Sequence, residues 1–114
     1  MSKRTEQMNE LFRRAAGEFI LTEIELPENV IVTVTKVSVS NDSKNVRIFV
    51  SIFPENRRGS SMDILNDNRH NLKEYLADKL SLRIIPGINY YVDASENKID
   101  EVERLLREIE REKY

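Results

Sequence analysis

The sequence contains no cysteine and a single histidine, His70. The first absence removes disulfides, cysteine-bound zinc and thiol catalysis. The second removes any paired-histidine metal site, since no second imidazole exists to complete one. Only three glycines occur, Gly17, Gly59 and Gly87, each tens of residues from the next. Phosphate-cradling loops need clustered glycines so that backbone N–H groups approach the phosphate closely, and P-loop and dinucleotide fingerprints are thereby excluded. No apolar run exceeds three residues, as in Phe19-Ile20-Leu21. That is too short for a membrane span or for the hydrophobic region of a signal peptide, so a cytoplasmic protein with no membrane partner is expected. Serines are plentiful, but none has a base beside it in a recognisable motif, and the scattered carboxylates have no reason for perturbed acidity. Neither an enzyme nor a cofactor is expected.

What is present describes one α+β domain. A chain of 114 residues with 39% hydrophobic and 33% charged side chains is of single-domain size. It buries roughly two thirds of its unfolded surface, enough for an aliphatic core without staples. The net charge of -2 is unevenly spread: residues 1–28 carry four Lys/Arg against six Asp/Glu, residues 29–83 nine against six, and residues 96–114 five against seven. A basic middle between acidic ends presents a cationic face to RNA while the whole stays near neutral; a mixed, solvated surface is the plainer alternative.

Met8, Leu11, Phe12, Ala15, Phe19 and Ile20 recur at three- and four-residue steps, which predicts an amphipathic helix from Ser2 to about Leu21. Residues 29–40 are rich in valine and threonine and read as a strand, but Val30, Val32 and Val34 share one parity and Val37 and Val39 the other. A bulge near Lys36 reconciles them. Asn41-Asp42-Ser43-Lys44 is turn chemistry, and Val46, Ile48, Val50 and Ile52 alternate through a second strand, giving a hairpin. The reverse face of that strand holds Arg47, Phe49, Ser51 and Phe53. Cations interleaved with rings suit stacking on unpaired bases, unless another element covers them.

Residues 54–61 read as a loop carrying Arg57 and Arg58, after which Ser60 or Ser61 is expected to cap a helix running through Met62, Leu65, Leu72, Leu76 and Leu80. Its middle, Asn66-Asp67-Asn68-Arg69-His70-Asn71, has no apolar residue in six positions, and a break is expected there. Ile88, Tyr90 and Val92 alternate in a third strand, and Ile99, Val102, Leu105, Leu106 and Ile109 mark a C-terminal helix from about Asn97 to Glu112. The order α-β-β-α-β-α gives a three-stranded mixed sheet with helices packed on it.

Two stretches carry a family resemblance. The first joins Val32-Thr33-Val34-Thr35-Lys36-Val37-Ser38-Val39-Ser40-Asn41-Asp42 to Val46-Arg47-Ile48-Phe49-Val50-Ser51. The second, more specific, is Leu80-Ser81-Leu82-Arg83-Ile84-Ile85-Pro86-Gly87-Ile88-Asn89-Tyr90-Tyr91-Val92-Asp93. Together with the first helix they resemble ribosome-binding factor A over residues 4–95. The resemblance implies a type II K-homology-like domain over residues 1–95; the helix over residues 96–114, read from its apolar spacing, lies beyond the shared core as a departure from the family and is expected to pack on the domain or extend from it. It also implies a non-enzymatic factor, monomeric when free, that binds immature 30S particles and precursor 16S ribosomal RNA, assists maturation of that RNA, and matters for growth in the cold. Another departure is local: where the family carries an Ala-x-Gly kink, this chain reads Asn68-Arg69-His70, so Asn68 and His70 either bend the chain through side-chain hydrogen bonds or leave it straighter.

With that reading, Arg57, Arg58, Arg69, Lys73, Lys79 and Arg83, in or beside the loop and the broken helix, are the expected phosphate-binding residues. Asp63, Asp67, Glu74 and Asp78 lie among them, so ion pairing along the helix is the competing account. The alternative function is a protein-interaction module that docks a partner through its acidic ends and C-terminal helix.

Overall fold

The computed structural model describes residues 3–93. The long first helix, α1, spans Lys3–Glu23, two residues beyond the end its apolar spacing suggests. It is followed by β1 (Ile31–Val39), β2 (Asn45–Phe53), a 3-10 turn (Glu55–Arg57), α2 (Arg58–Asp67), α3 (Arg69–Lys79) and β3 (Gly87–Val92). The proposed C-terminal helix and the boundary at residue 95 lie outside the described residues.

The parity change in β1 is resolved as expected. Val34 pairs with Val50 and Lys36 with Phe49, leaving Thr35 as the extra residue of a bulge. The insertion turns Val37 and Val39 onto the same buried side as Val34. Thr35 donates its hydroxyl proton to the Asp93 carboxylate at 2.6 Å, so the bulge also fastens the end of β3. At the hairpin tip Asp42 acts as turn chemistry: its carboxylate accepts from the Ser40 hydroxyl at 2.6 Å and the Lys44 N–H at 3.0 Å, and these bonds lower its pKa.

β2 is the central strand, antiparallel to β1 and parallel to β3. The first residue of β3, Gly87, passes close to the hairpin: its N–H donates to the Lys44 carbonyl at 2.8 Å, and a Cβ there would sit 3.3 Å from Asn45 Oδ1. One face of the sheet, Val34, Val37, Val39, Val46, Ile48, Val50, Ile52, Ile88 and Tyr90, is buried. It is roofed by Phe12, Ala15, Ala16, Phe19 and Ile20 of α1 and by Leu65, Leu72 and Leu76 of the α2–α3 pair. The opposite face carries no helix among the described residues.

Two helix boundaries differ in kind. The expected loop through Ser61 is mostly helix: α2 begins at Arg58 without a side-chain cap, and Ser60 instead donates from inside the first turn to the Arg57 carbonyl at 3.2 Å. Tertiary packing overrides capping chemistry here. Ser61 is fully buried, and its small side chain allows the first turn of α2 to lie close to the core. At the end of α3 the signal is local. Leu82 N–H donates to the Ala77 carbonyl at 2.9 Å and Ser81 N–H to the Asp78 carbonyl at 3.3 Å, while Ser81 takes a left-handed φ of 52°. This is a Schellman ending with serine where glycine is usual, and Leu82, packed against the core, supplies its hydrophobic contact.

Candidate nucleic-acid interface

The break between α2 and α3 is made by one residue. Asn68, at φ -96° and ψ 6°, directs its N–H at the carbonyls of Ile64 and Leu65, both at 3.2 Å, and donates its side-chain amide to the Ile64 carbonyl at 2.9 Å. Its own carbonyl accepts from Leu72 at 3.0 Å and starts the next helix. Side-chain bonding thus does the work for which small residues are used elsewhere. The first turn of α3 contains no acidic residue, and Asn68 makes no side-chain cap bond to it.

Arg69 and Lys73, four apart, share a face of α3 beside this break. Arg69 reaches across the edge strand, its Nη1 lying 3.4 Å from Asn89 Oδ1 on β3. Lys73 is half-buried and makes no ion pair with the described residues. His70 instead turns to Glu74, 3.3 Å away and exposed.

The other four expected cations do not join them. Arg57 is exposed in the 3-10 turn, while Arg58 pairs with Glu55 at 3.2 Å. The ten residues of α2, which begins at Arg58, span about 15 Å of helix and carry the chain from this pair to the break before Arg69. Lys79, near the far end of α3, pairs with Glu18 of α1 at 3.3 Å and lies over the Tyr75 ring. The Tyr75 hydroxyl donates to the same carboxylate at 3.0 Å. The Tyr75 bond and then the Lys79 bond hold Glu18 below the usual carboxylate range, and the Glu18 bond raises Lys79. Arg83 is exposed in the segment that leads to β3. The six therefore trace the crossover from end to end, with Arg57 and Arg58 at its start and Arg69 and Lys73 at the helix break.

The sheet face that no described helix covers adds residues absent from that set. Ser38, Arg47 and Asn89 form one cross-strand row and Lys36, Phe49 and Tyr91 the next. The Phe49 and Tyr91 rings stack at 5.4 Å between centroids and 28° between planes, and Lys36 Nζ lies 5.6 Å from the Phe49 centroid. Parity in β2 marks Arg47 and Phe49 as outward-facing; only the register of three strands brings Lys36 and Asn89 beside them.

Helix, hairpin, paired helices and a last strand parallel to the middle one define a type II K-homology-like domain, within a class of RNA-binding modules. The chain matches the family model described as ribosome-binding factor A over residues 4–106, beyond the stretch ending at residue 95 that carries the resemblance. This chain belongs to the ribosome-binding factor A family. It is 33% identical over 116 residues to ribosome-binding factor A of Chlorobium phaeovibrioides, with 98% of this chain and 96% of the relative covered. With the Thermodesulfovibrio yellowstonii protein of the same description it shares 29% over 109 residues, covering 96% and 92%. The crystal structure of ribosome-binding factor A from Thermus thermophilus has the same fold, with a TM-score of 0.69 at 20% identity over 77% of this chain and 94% of that one. Thermus thermophilus ribosome binding factor A coordinates fitted into a cryo-electron-microscopy map of a 30S complex give a TM-score of 0.66 at 23% identity, covering 76% and 92%.

Proposed function

We propose that this protein is a non-enzymatic assembly factor that binds the immature small ribosomal subunit in the cytoplasm and assists maturation of its 16S ribosomal RNA, with its greatest importance in the cold. The observation that carries the reading is family membership across residues 4–106, in a family whose Thermus thermophilus relative has been fitted into a map of a 30S complex. One physical feature supports it. The crossover places Arg69 and Lys73 beside an uncapped helix start, a combination suited to phosphate. No helix among the described residues is long and apolar enough to cross a membrane.

The mechanism is occupancy. A domain whose cations lie along one crossover holds an RNA conformation in place and leaves when the mature fold no longer presents it. Phosphate contacts position the domain without reading sequence, so specificity comes from the shape of the particle and from contacts to unpaired bases. Co-sedimentation tests the proposal: the purified protein is expected to travel with immature small subunits and not with large ones. Recovery on large subunits alone, or only in ribosome-free fractions of assembling cells, would contradict it and favour a protein partner.

A further inference from the structure

We propose that the face of the sheet left open by the described helices is a second RNA contact, where an unpaired base of a single-stranded segment stacks on Tyr91, backed by Phe49, while Lys36, Arg47 and Arg69 meet the adjoining phosphates. The inference deepens the proposed function and rests on it, because the RNA is the one that the crossover holds.

Burial does not account for Tyr91. Tyr91 is 41% exposed and its ring is stacked on Phe49 at the surface, whereas its neighbour Tyr90 is turned into the core. Phe49 lies between Tyr91 and Lys36, so the outer π-face of Tyr91 is the one on offer, and a base stacks there whatever its identity. Beside them lies an open depression of about 480 Å³ lined by Ser38, Ser40, Asn45, Arg47, Asn89 and Tyr91, among other residues. Its amides and hydroxyls can donate to and accept from the edge of an unpaired base.

Charge selects the occupant. The outward positions of the three strands include Lys36 and Arg47 but no carboxylate, and Asp93, one residue beyond β3, accepts from Thr35. A cationic, ring-bearing face suits a polyanion with flat bases. The face is also continuous with the crossover: Arg69 touches Asn89, and Asn89 and Tyr91 are one strand repeat apart, about 6.6 Å. A strand of RNA gripped at the helix break is thus led around the edge of β3 onto the rings.

The sequence contains no tryptophan, so Tyr91→Trp introduces a single indole reporter at the site. Titration with precursor small-subunit RNA, and with an unstructured oligouridine, is expected to quench it as bases stack. Tyr91→Ala is expected to lower RNA affinity about tenfold with an unchanged salt slope, since a ring and not a phosphate contact is lost. Tyr91→Phe is expected to retain affinity. An RNA that binds wild type and responds to charge reversal of Arg69 and Lys73, yet neither quenches the indole nor notices Tyr91→Ala, would overturn this inference alone. Quenching by intact small subunits but not by free RNA would overturn it in favour of a protein contact. Absence of RNA binding by wild type would defeat both this inference and the proposed function.

Discussion

Along β2, alternate residues belong to two different worlds. Val46, Ile48, Val50 and Ile52 point under the helices and are buried, while Arg47, Phe49, Ser51 and Phe53 point away from them. The backbone, the length and the neighbouring strands are the same for both sets, so the contrast isolates what folding asks of a residue from what it does not. On the inner side only volume and apolarity are required, and four β-branched aliphatics satisfy both. On the outer side a stacked ring pair with cations beside it meets no packing need of the described chain. Such residues are where a function leaves its mark on a small domain.

The largest expected break in this comparison comes from Ile48, which is fully buried at the centre of the sheet. Ile48→Ala should cost about 2–5 kcal/mol of stability, through lost transfer energy and a cavity left in the core. Tyr91→Ala, on the other side, should cost about 1 kcal/mol or less, the worth of a cross-strand pair. Denaturant unfolding of both variants measures the contrast, and equal costs would show that the outer face is structural after all.

Next in size is the pair at the helix break. Arg69→Glu with Lys73→Glu should weaken RNA binding more than tenfold, about 1.4 kcal/mol or greater, because two attractive contacts become repulsive. Circular dichroism should remain that of the wild type. Unchanged affinity would move the site toward Arg57 and Arg58.

A smaller effect sharpens the inner side, where α3 must return the chain to the sheet. Ser81 holds a left-handed conformation with a side chain, and Ser81→Gly should raise stability by about 1 kcal/mol, seen as an upward shift in the denaturation midpoint. Smallest of all is the difference between two lysines of one helix. Lys79→Gln should weaken RNA binding less than Lys73→Gln does, since the Lys79 ammonium is already paired with Glu18. Filter-binding measurements on the two variants at one salt concentration decide it.

Much of this was legible in the chain itself. The change of valine parity around Lys36 announces the bulge, because period-two patterning allows no other way to bury both sets. Six polar residues from Asn66 to Asn71 announce the break, since an apolar stripe cannot cross them. The start of α2 was hidden for the opposite reason. Gly59-Ser60-Ser61 is poor helix chemistry, and what fixes Ser61 in the first helical turns is the core it touches. Contacts between distant positions were hidden as well. Arg69 meets Asn89 and Lys79 meets Glu18 through strand order and helix packing, which no local pattern encodes.

The salt dependence of RNA binding, compared between wild type and an Arg69→Gln, Lys73→Gln double variant, bears most directly on the claim that the crossover grips phosphate. Each phosphate contact to a single strand steepens the fall of log affinity with log salt by about 0.7. The double variant should therefore bind more weakly at low salt and show a slope shallower by about 1.4. A variant with intact fold, wild-type affinity and an unaltered slope would contradict it.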